Sequence, residues 1–327
     1  MYLAVTIDTE EDNWGEYDRS SYSVQNVTRI PRLQEIFAKH GVRPTYLITH
    51  PVATSARAVE LLRMYHQENL CEIGTHLHPW NTPPLEERRT QVNSFLNNLP
   101  ARLQYRKIET LHQTIAKNFG VEPRSFRSGR WGFSEDVARG LIRLGYAVDT
   151  SLYPATDWSP CGGPDYRECR HEPFVYRVGH DAHDGALLEV PATIDFLQSR
   201  RGLANSAYWA VKRTLPAADT ILAVLNRARL LNHVCLSPEL CRADGMIRLA
   251  ATLLRRGTRI VNMFFHSPSL LPGCSPFVKT EGDASAFLER IDRFLAFARS
   301  AGLRPVSMSE LKPEDVGATA VRVLKAA

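Results

Sequence analysis

Cysteine is sparse in this chain of 327 residues: Cys71, Cys161, Cys169, Cys235, Cys241 and Cys274, none of them forming a CxxC pair. That spacing excludes a zinc ribbon and a thioredoxin-type redox motif, and reduced structural thiols are the ordinary expectation. No uninterrupted apolar run approaches the roughly 20 residues a membrane-crossing helix needs. The opening Met1-Tyr2-Leu3-Ala4-Val5-Thr6-Ile7-Asp8 has no basic segment leading into an apolar one, so the expectation is a cytoplasmic chain without a secretory signal. Charge bias is also small. Forty Lys+Arg against 35 Asp+Glu leave +5, too mild to point to nucleic acid. Repeats and low-complexity tracts are missing. What remains, 44% hydrophobic and 23% charged, is the composition of a folded globular chain, long enough for one large α/β barrel or two ordinary domains.

What is present is a rhythm: a short β-branched or aromatic run, a polar turn, then apolar residues at helical spacing. The strand-like runs are Tyr2 to Ile7, Thr45 to Ile48, Cys71 to Thr75, Ser125 to Arg127, Tyr146 to Val148, Leu187 to Val190, Ile260 to Phe265 and a last one around Pro305 to Met308. Between them, Ile30, Leu33, Ile36 and Phe37 share a helical face that Gly41 ends, and Ser134 is placed to cap a helix carrying Val137, Leu141 and Leu144. Strands alternating with helices imply a parallel sheet with right-handed crossovers. Seven or eight such units without a visible linker predict one distorted (β/α) barrel over residues 1–327. Two insertions interrupt it. Residues 154–186 read as an irregular loop at the barrel mouth, and 200–259 as mostly helical. The second carries eleven Lys/Arg against three acids, a larger excess than the whole chain's. A solvated helical face accounts for that, or else attraction to an anionic membrane surface or an anionic, lipid-linked substrate.

In a parallel barrel, chemistry collects where strands end. Five strand ends here carry ionisable side chains: Asp8-Thr9-Glu10, His76-Leu77-His78-Pro79-Trp80, Arg127-Ser128-Gly129-Arg130-Trp131, Asp149-Thr150-Ser151 and His266-Ser267. In extended chain the period of two puts His76 and His78 on one side, and Asp8 and Glu10 on one side. Two imidazoles and a carboxylate are a common way to hold a divalent ion, with one acid of the pair binding and the other handling protons. Trp14, Trp80 and Trp131 can cap the barrel core or meet the apolar face of a sugar ring. Arg130 can meet an anionic sugar or phosphate, or pair with a loop acid.

Taken in order, these segments resemble the polysaccharide deacetylase family, the NodB-homology or carbohydrate esterase family 4 superfamily, over nearly the whole chain from Val5 to Met308. Thr6-Ile7-Asp8-Thr9-Glu10 is similar to its first motif, Glu72-Ile73-Gly74-Thr75-His76 to its second, and Phe126-Arg127-Ser128-Gly129-Arg130-Trp131 to its third. Asp149-Thr150-Ser151 resembles the fourth, and His266 behind Met263-Phe264-Phe265 the fifth. The acid-x-acid pair looks closest to a branch associated with surface-polysaccharide loci. Where the family's second motif places its second histidine four residues on, this chain has Trp80, and Thr9 stands where a second aspartate is usual.

The resemblance implies hydrolysis of an N-acyl, usually N-acetyl, group on an amino sugar. Asp8 would be the general base, Arg127 its holder and His266 the general acid. Glu10, His76 and His78 would hold a divalent metal, with zinc the expected ion. Trp80, Arg130, Trp131 and Asp149 would face the substrate, a glycan or its lipid-linked precursor, with peripheral contact to an anionic membrane and no nucleic-acid partner. Another amidohydrolase or deformylase acting on a small amide, and a catalytically silent glycan-binding scaffold, are the alternatives.

Overall fold

Tyr2–Thr9 (β1) sets the logic of the molecule, because its even- and odd-numbered side chains face different surroundings. Leu3, Val5 and Ile7 join the large hydrophobic cluster under the helices, while Ala4 belongs to a second cluster and Thr6 bonds across the sheet interior. The computed structural model describes residues 1–12, 14–17, 21–178, 185–318 and 321–324. After β1 come Thr45–Ile48 (β2), Glu72–Leu77 (β3), Ser125–Ser128 (β4), Val148–Asp149 (β5), Phe174–Val178 (β6), Ala186–Glu189 (β7), Ile194–Phe196 (β8), His233–Cys235 (β9), Ile260–His266 (β10), Arg304–Pro305 (β11) and Val321–Leu324 (β12). Ten of them form one sheet in the order β10-β1-β2-β3-β4-β5-β7-β6-β12, with β11 beside β1. β8 and β9 make a separate antiparallel pair. Every pairing in the large sheet is parallel except β6 with β7.

The interior shows that this sheet is the expected distorted barrel. Side chains from β4 reach β1, although β2 and β3 lie between them in the sheet: Arg127 donates to both Asp8 and Thr6. Asn262 of β10 links the same layer to Thr6 and to Thr150. The seam between β7 and β10 is not a strand ladder. It is crossed by residues 190–193, where Ala192 N–H donates to Leu152 O at 3.0 Å and Thr193 Oγ1 accepts from Asn262 N–H at 2.7 Å. One end of the interior is apolar, with Ala4, Val148, Leu188 and Ile260 sealed by Met308, Leu311 and Val316. The other end carries the ionisable groups.

Helices Ile30–His40, Ala56–Gln67, Ala101–Phe119, Glu135–Arg143, Ala243–Arg255 and Glu281–Ser300 each bury an apolar stripe against the strands. Gly41 ends the first of them at φ +65°, a conformation that costs other residues but not glycine. Ser134 caps its helix through Val137 N–H, as its placement predicts. All six cysteines are free, and among the described residues no helix is long and apolar enough to cross a membrane.

The two insertions differ from their reading. Residues 154–186 are not wholly irregular: β6 lies inside them and pairs antiparallel with β7, while 179–184 fall outside the described residues. Within 200–259, Ala243–Arg255 is one of the barrel's own helices, packed against Glu281–Ser300, and β9 is a strand. What projects is the helix pair Arg201–Thr214 and Ala218–Arg227, resting on a small cluster of Phe196, Ala204, Leu222 and Leu231. Part of the positive charge of residues 200–259 is structural. Arg256 bonds Asp195 and the carbonyls of Phe196 and Gln198, and Arg201 pairs with Asp195 and Glu172.

Candidate active site

β1 and β3 are close neighbours around β2, and their same-side residues meet above the polar layer. His76 and His78 bring their Nε2 atoms to 3.0 Å from each other, with Glu10 Oε2 at 3.4 and 3.2 Å. Their other ring nitrogens are occupied: His76 Nδ1 donates to the Arg127 carbonyl at 3.0 Å, and His78 Nδ1 donates to Glu11 Oε1 at 2.8 Å. With Nδ1 protonated, a neutral imidazole presents a bare lone pair at Nε2. When both imidazoles are neutral, three buried acceptors converge with no donor among them, and their ligand atoms all lie within 4.8 Å of one another. Such a cluster demands a positive charge. Burial works against a charged His78, but Glu11 and Glu10 outweigh it and push its pKa up to about 10. For Glu10, burial is outweighed by the two imidazoles, which hold its carboxyl low. Two nitrogens and one oxygen with fixed outer partners fit a divalent cation.

Asp8 stands beside this group with its two oxygens divided. Oδ1 accepts from Arg127 Nη1 at 2.6 Å; Oδ2 lies 3.9 Å from His76 Nε2 and 3.5 Å from His266 Nε2. Burial tends to raise the Asp8 carboxyl, yet Arg127, His76 and His266 together keep it below the usual range, so it is ionised. Arg127 is fully buried and held on several sides: Nε donates to Thr150 O at 3.0 Å, Nη2 to Thr6 Oγ1 at 2.7 Å, and the guanidinium lies 5.0 Å from the Trp131 ring centre.

His266, at the end of β10, has its Nδ1 on Glu239 Oε2 at 2.9 Å. Burial alone would lower its pKa, but Glu239, with Glu10 and Asp8, raises it to about 9. Trp14 meets the ring edge-on at 4.3 Å. These groups open onto a cavity of about 530 Å³ lined also by Trp80, Trp131, Tyr153, Trp158, Phe264 and Phe277. Trp80 stacks on His78 at 4.1 Å and donates to Glu11 at 3.2 Å.

Asp8, Glu10, His76, His78, Trp80, Arg130, Trp131 and His266 thus share one cavity, with Arg127 directly beneath. Asp149 does not reach it. Its register partner is Phe126, on the helix-facing side of the sheet, and it accepts from Ser151 N–H and Oγ at 3.0 and 2.7 Å. Burial and Asp149 together push the adjoining Glu189 carboxyl up. Two partners escaped sequence reasoning. Glu11, directly after Glu10, carries a signal in that adjacency that the strand-end pattern passes over; Glu239 is one of the three acids in the basic stretch 200–259, and no pattern marks it.

The fold and this site define a class, a parallel barrel with an acid–imidazole cluster at the strand ends. No protein-family profile and no curated protein matches the sequence. Solved structures do. A candidate polysaccharide deacetylase from Mycobacterium smegmatis superposes with a TM-score of 0.53 at 17% identity, covering 99% of this chain and 94% of that one. A candidate glycoside hydrolase/deacetylase from Parabacteroides distasonis gives 0.62 at 13% identity, covering 94% and 69%. The chain has the fold of the polysaccharide deacetylases, the family its motifs resemble.

Proposed function

We propose that this protein is a metal-assisted N-deacetylase, a hydrolase of the C–N bond between an acyl group and an amino sugar in a surface glycan or its lipid-linked precursor. The observation that carries the reading is the three-acceptor cluster of Glu10, His76 and His78 set between an arginine-held carboxylate and a carboxylate-held imidazole.

Glu10, His76 and His78 would hold a divalent cation, zinc by their N/O donor set, and the ion would supply the Lewis acidity that makes water nucleophilic near neutral pH. Asp8 is the base. Arg127 keeps it ionised and turns Oδ2 toward the cavity, where it takes the proton of the attacking water as the new C–O bond forms. His266 is the acid. Glu239 keeps it protonated and fixes Nε2 as the donating nitrogen, which gives its proton to the amine as the C–N bond breaks; a carboxylate and a free amine leave. The aromatic walls suit the apolar face of a pyranose and limit water.

The lipid-linked form of this reading is supported by the projecting helix pair and the turn after it, where Leu203, Val224 and Leu230 are exposed, as are Arg213, Arg227 and Arg229. The enzymatic core is tested by metal analysis and acetate release from N-acetylhexosamine substrates. The wild type should bind about one equivalent of divalent ion and release acetate, and His76→Ala should lose the ion and the activity together. Asp8→Asn should keep the ion and lose activity by roughly a hundredfold or more. Protein that binds no ion on titration would remove this mechanism, and metal-bound protein inert on every sugar would favour a small amide or a silent scaffold.

A further inference from the structure

Arg130 is the one arginine or lysine among the described residues lining the cavity, and the proposed chemistry leaves it unused. Its position is built. Gly129 lets the chain run directly against the imidazole of His78, since a Cβ there would stand 2.4 Å from His78 Cδ2. Arg130 and Trp131 then follow with φ of +53° and +62°, two successive side-chain-bearing residues in the left-handed region, a strained arrangement that persists only where surroundings impose it. Ser128 Oγ donates to Gly132 O at 2.7 Å and Tyr166 OH to Trp131 O at 2.6 Å, pinning the turn. Trp131 thereby packs inward on Tyr153 and Arg127, and Arg130 is laid over Phe95 at 4.4 Å and Tyr17 at 5.8 Å.

A cation that merely held this loop would be expected to meet a carboxylate. None lies within ion-pair distance of Arg130 among the described residues. It makes one hydrogen bond, from Nη1 to Ser94 Oγ at 2.8 Å, and the rest of its fork has no acceptor among them. Apart from the histidines, the lining carries four acidic side chains, Asp8, Glu10, Glu11 and Glu239. Besides the hydrolytic cluster, with its candidate cation site and protonated His266, this guanidinium is the one positive group an anionic ligand meets among the described lining residues. The planar fork matches phosphate or carboxylate oxygens bidentately, and the flat stacking leaves its edge free for them. Tyr17, under Arg130, also meets Trp80, which stacks on His78, so a path of two aromatic rings joins the guanidinium to the hydrolytic cluster. An anion there belongs to the reacting sugar or to the unit bonded to it.

We infer that the substrate is an anionic N-acyl amino sugar whose phosphate or carboxylate is gripped by Arg130, orienting the acyl group toward Asp8 and His266. This rests on the deacetylase reading. The test titrates metal-loaded protein with N-acetylglucosamine, N-acetylglucosamine 1-phosphate and N-acetylmuramic acid, following the fluorescence of the cavity tryptophans and, separately, acetate release. At low salt an anionic sugar should bind at least about tenfold tighter than the neutral one, as a charge-assisted bidentate contact predicts. Added salt should shrink that advantage, Arg130→Lys should keep part of it, and Arg130→Gln should abolish it; whichever anionic sugar shows it identifies the group. Equal binding of all three sugars by the wild type, or an advantage that survives in Arg130→Gln, would overturn the inference. Should Arg130→Gln fold poorly by circular dichroism, Arg130→Lys decides: unchanged preference with the fork gone counts against bidentate grip. Fluorescence binding that behaves as expected without any acetate release would sink the deacetylase reading and leave the anion site standing.

Discussion

His266 Nε2 and Asp8 Oδ2 face each other at 3.5 Å with opposite tuning, one imidazole raised by Glu239 and one carboxyl lowered by Arg127. A general acid must carry its proton, so activity should fall as pH rises through the His266 pKa, about 9 here and lower with a divalent cation bound beside it. Glu239→Gln removes the charge that holds the proton. The alkaline limb of kcat/KM should then move to lower pH by about one unit or more, and an unmoved limb would rule out His266 as the acid. The sign for stability follows. A raised imidazole stabilises the fold below the ordinary histidine range and loses that contribution as pH climbs through about 9. Asp8, being lowered, contributes above the usual aspartate range and stops contributing as pH falls. Asp8→Asn also strands a buried guanidinium, so urea unfolding should show a loss of about 3–5 kcal/mol, part of which Arg127→Met on the same background should recover.

At the scale of elements, the decisive property is the parity of a strand. Period two places Asp8 with Glu10, and His76 with His78, on one side without any knowledge of the fold, and the structure brings all four together. The same period explains the misreading of Asp149. Standing at a strand end says that a residue lies near the mouth, but not whether it faces in or out. In β5, Val148 faces in with its partner Ser125, and Asp149 faces out with Phe126. Turns matter equally. Gly129 is the close approach that seats His78, and a methyl group there would also stand 2.7 Å from the Leu77 carbonyl. Gly129→Ala should therefore weaken metal affinity by roughly tenfold to a hundredfold, the usual cost of disturbing a ligand's support. A calorimetric titration checks it; wild-type affinity would show that His78 does not depend on this contact.

The whole molecule joins two polar systems: the ring of Thr6, Arg127, Thr150 and Asn262 that ties non-adjacent strands across the interior, and the site above it. Attached to one side is the helix pair, whose outward residues include exposed leucine, valine and arginine side chains. Binding to vesicles containing anionic lipid is expected in a flotation assay, and Arg213, Arg227 and Arg229 changed together to Glu should abolish it. Arg256 is the wrong residue for that test, because it holds Asp195 and two backbone carbonyls. Vesicle binding unaffected by the triple change would take the lipid surface away from this face.

Read alone, the chain determined which reactive groups follow which strands, because an apolar run ending in ionisable residues is a local pattern, and it determined the pairs that share a strand, because side-chain alternation is local too. Only the tertiary structure decided who faces whom across the barrel. Arg127 reaches Asp8 over 119 positions of sequence, and Glu239 approaches His266 from a loop with no periodicity to announce it. Arg130 has no acid partner among the described residues for the same reason: pairing of charges depends on strand order and register, and neither is written in the spacing of residues along one segment.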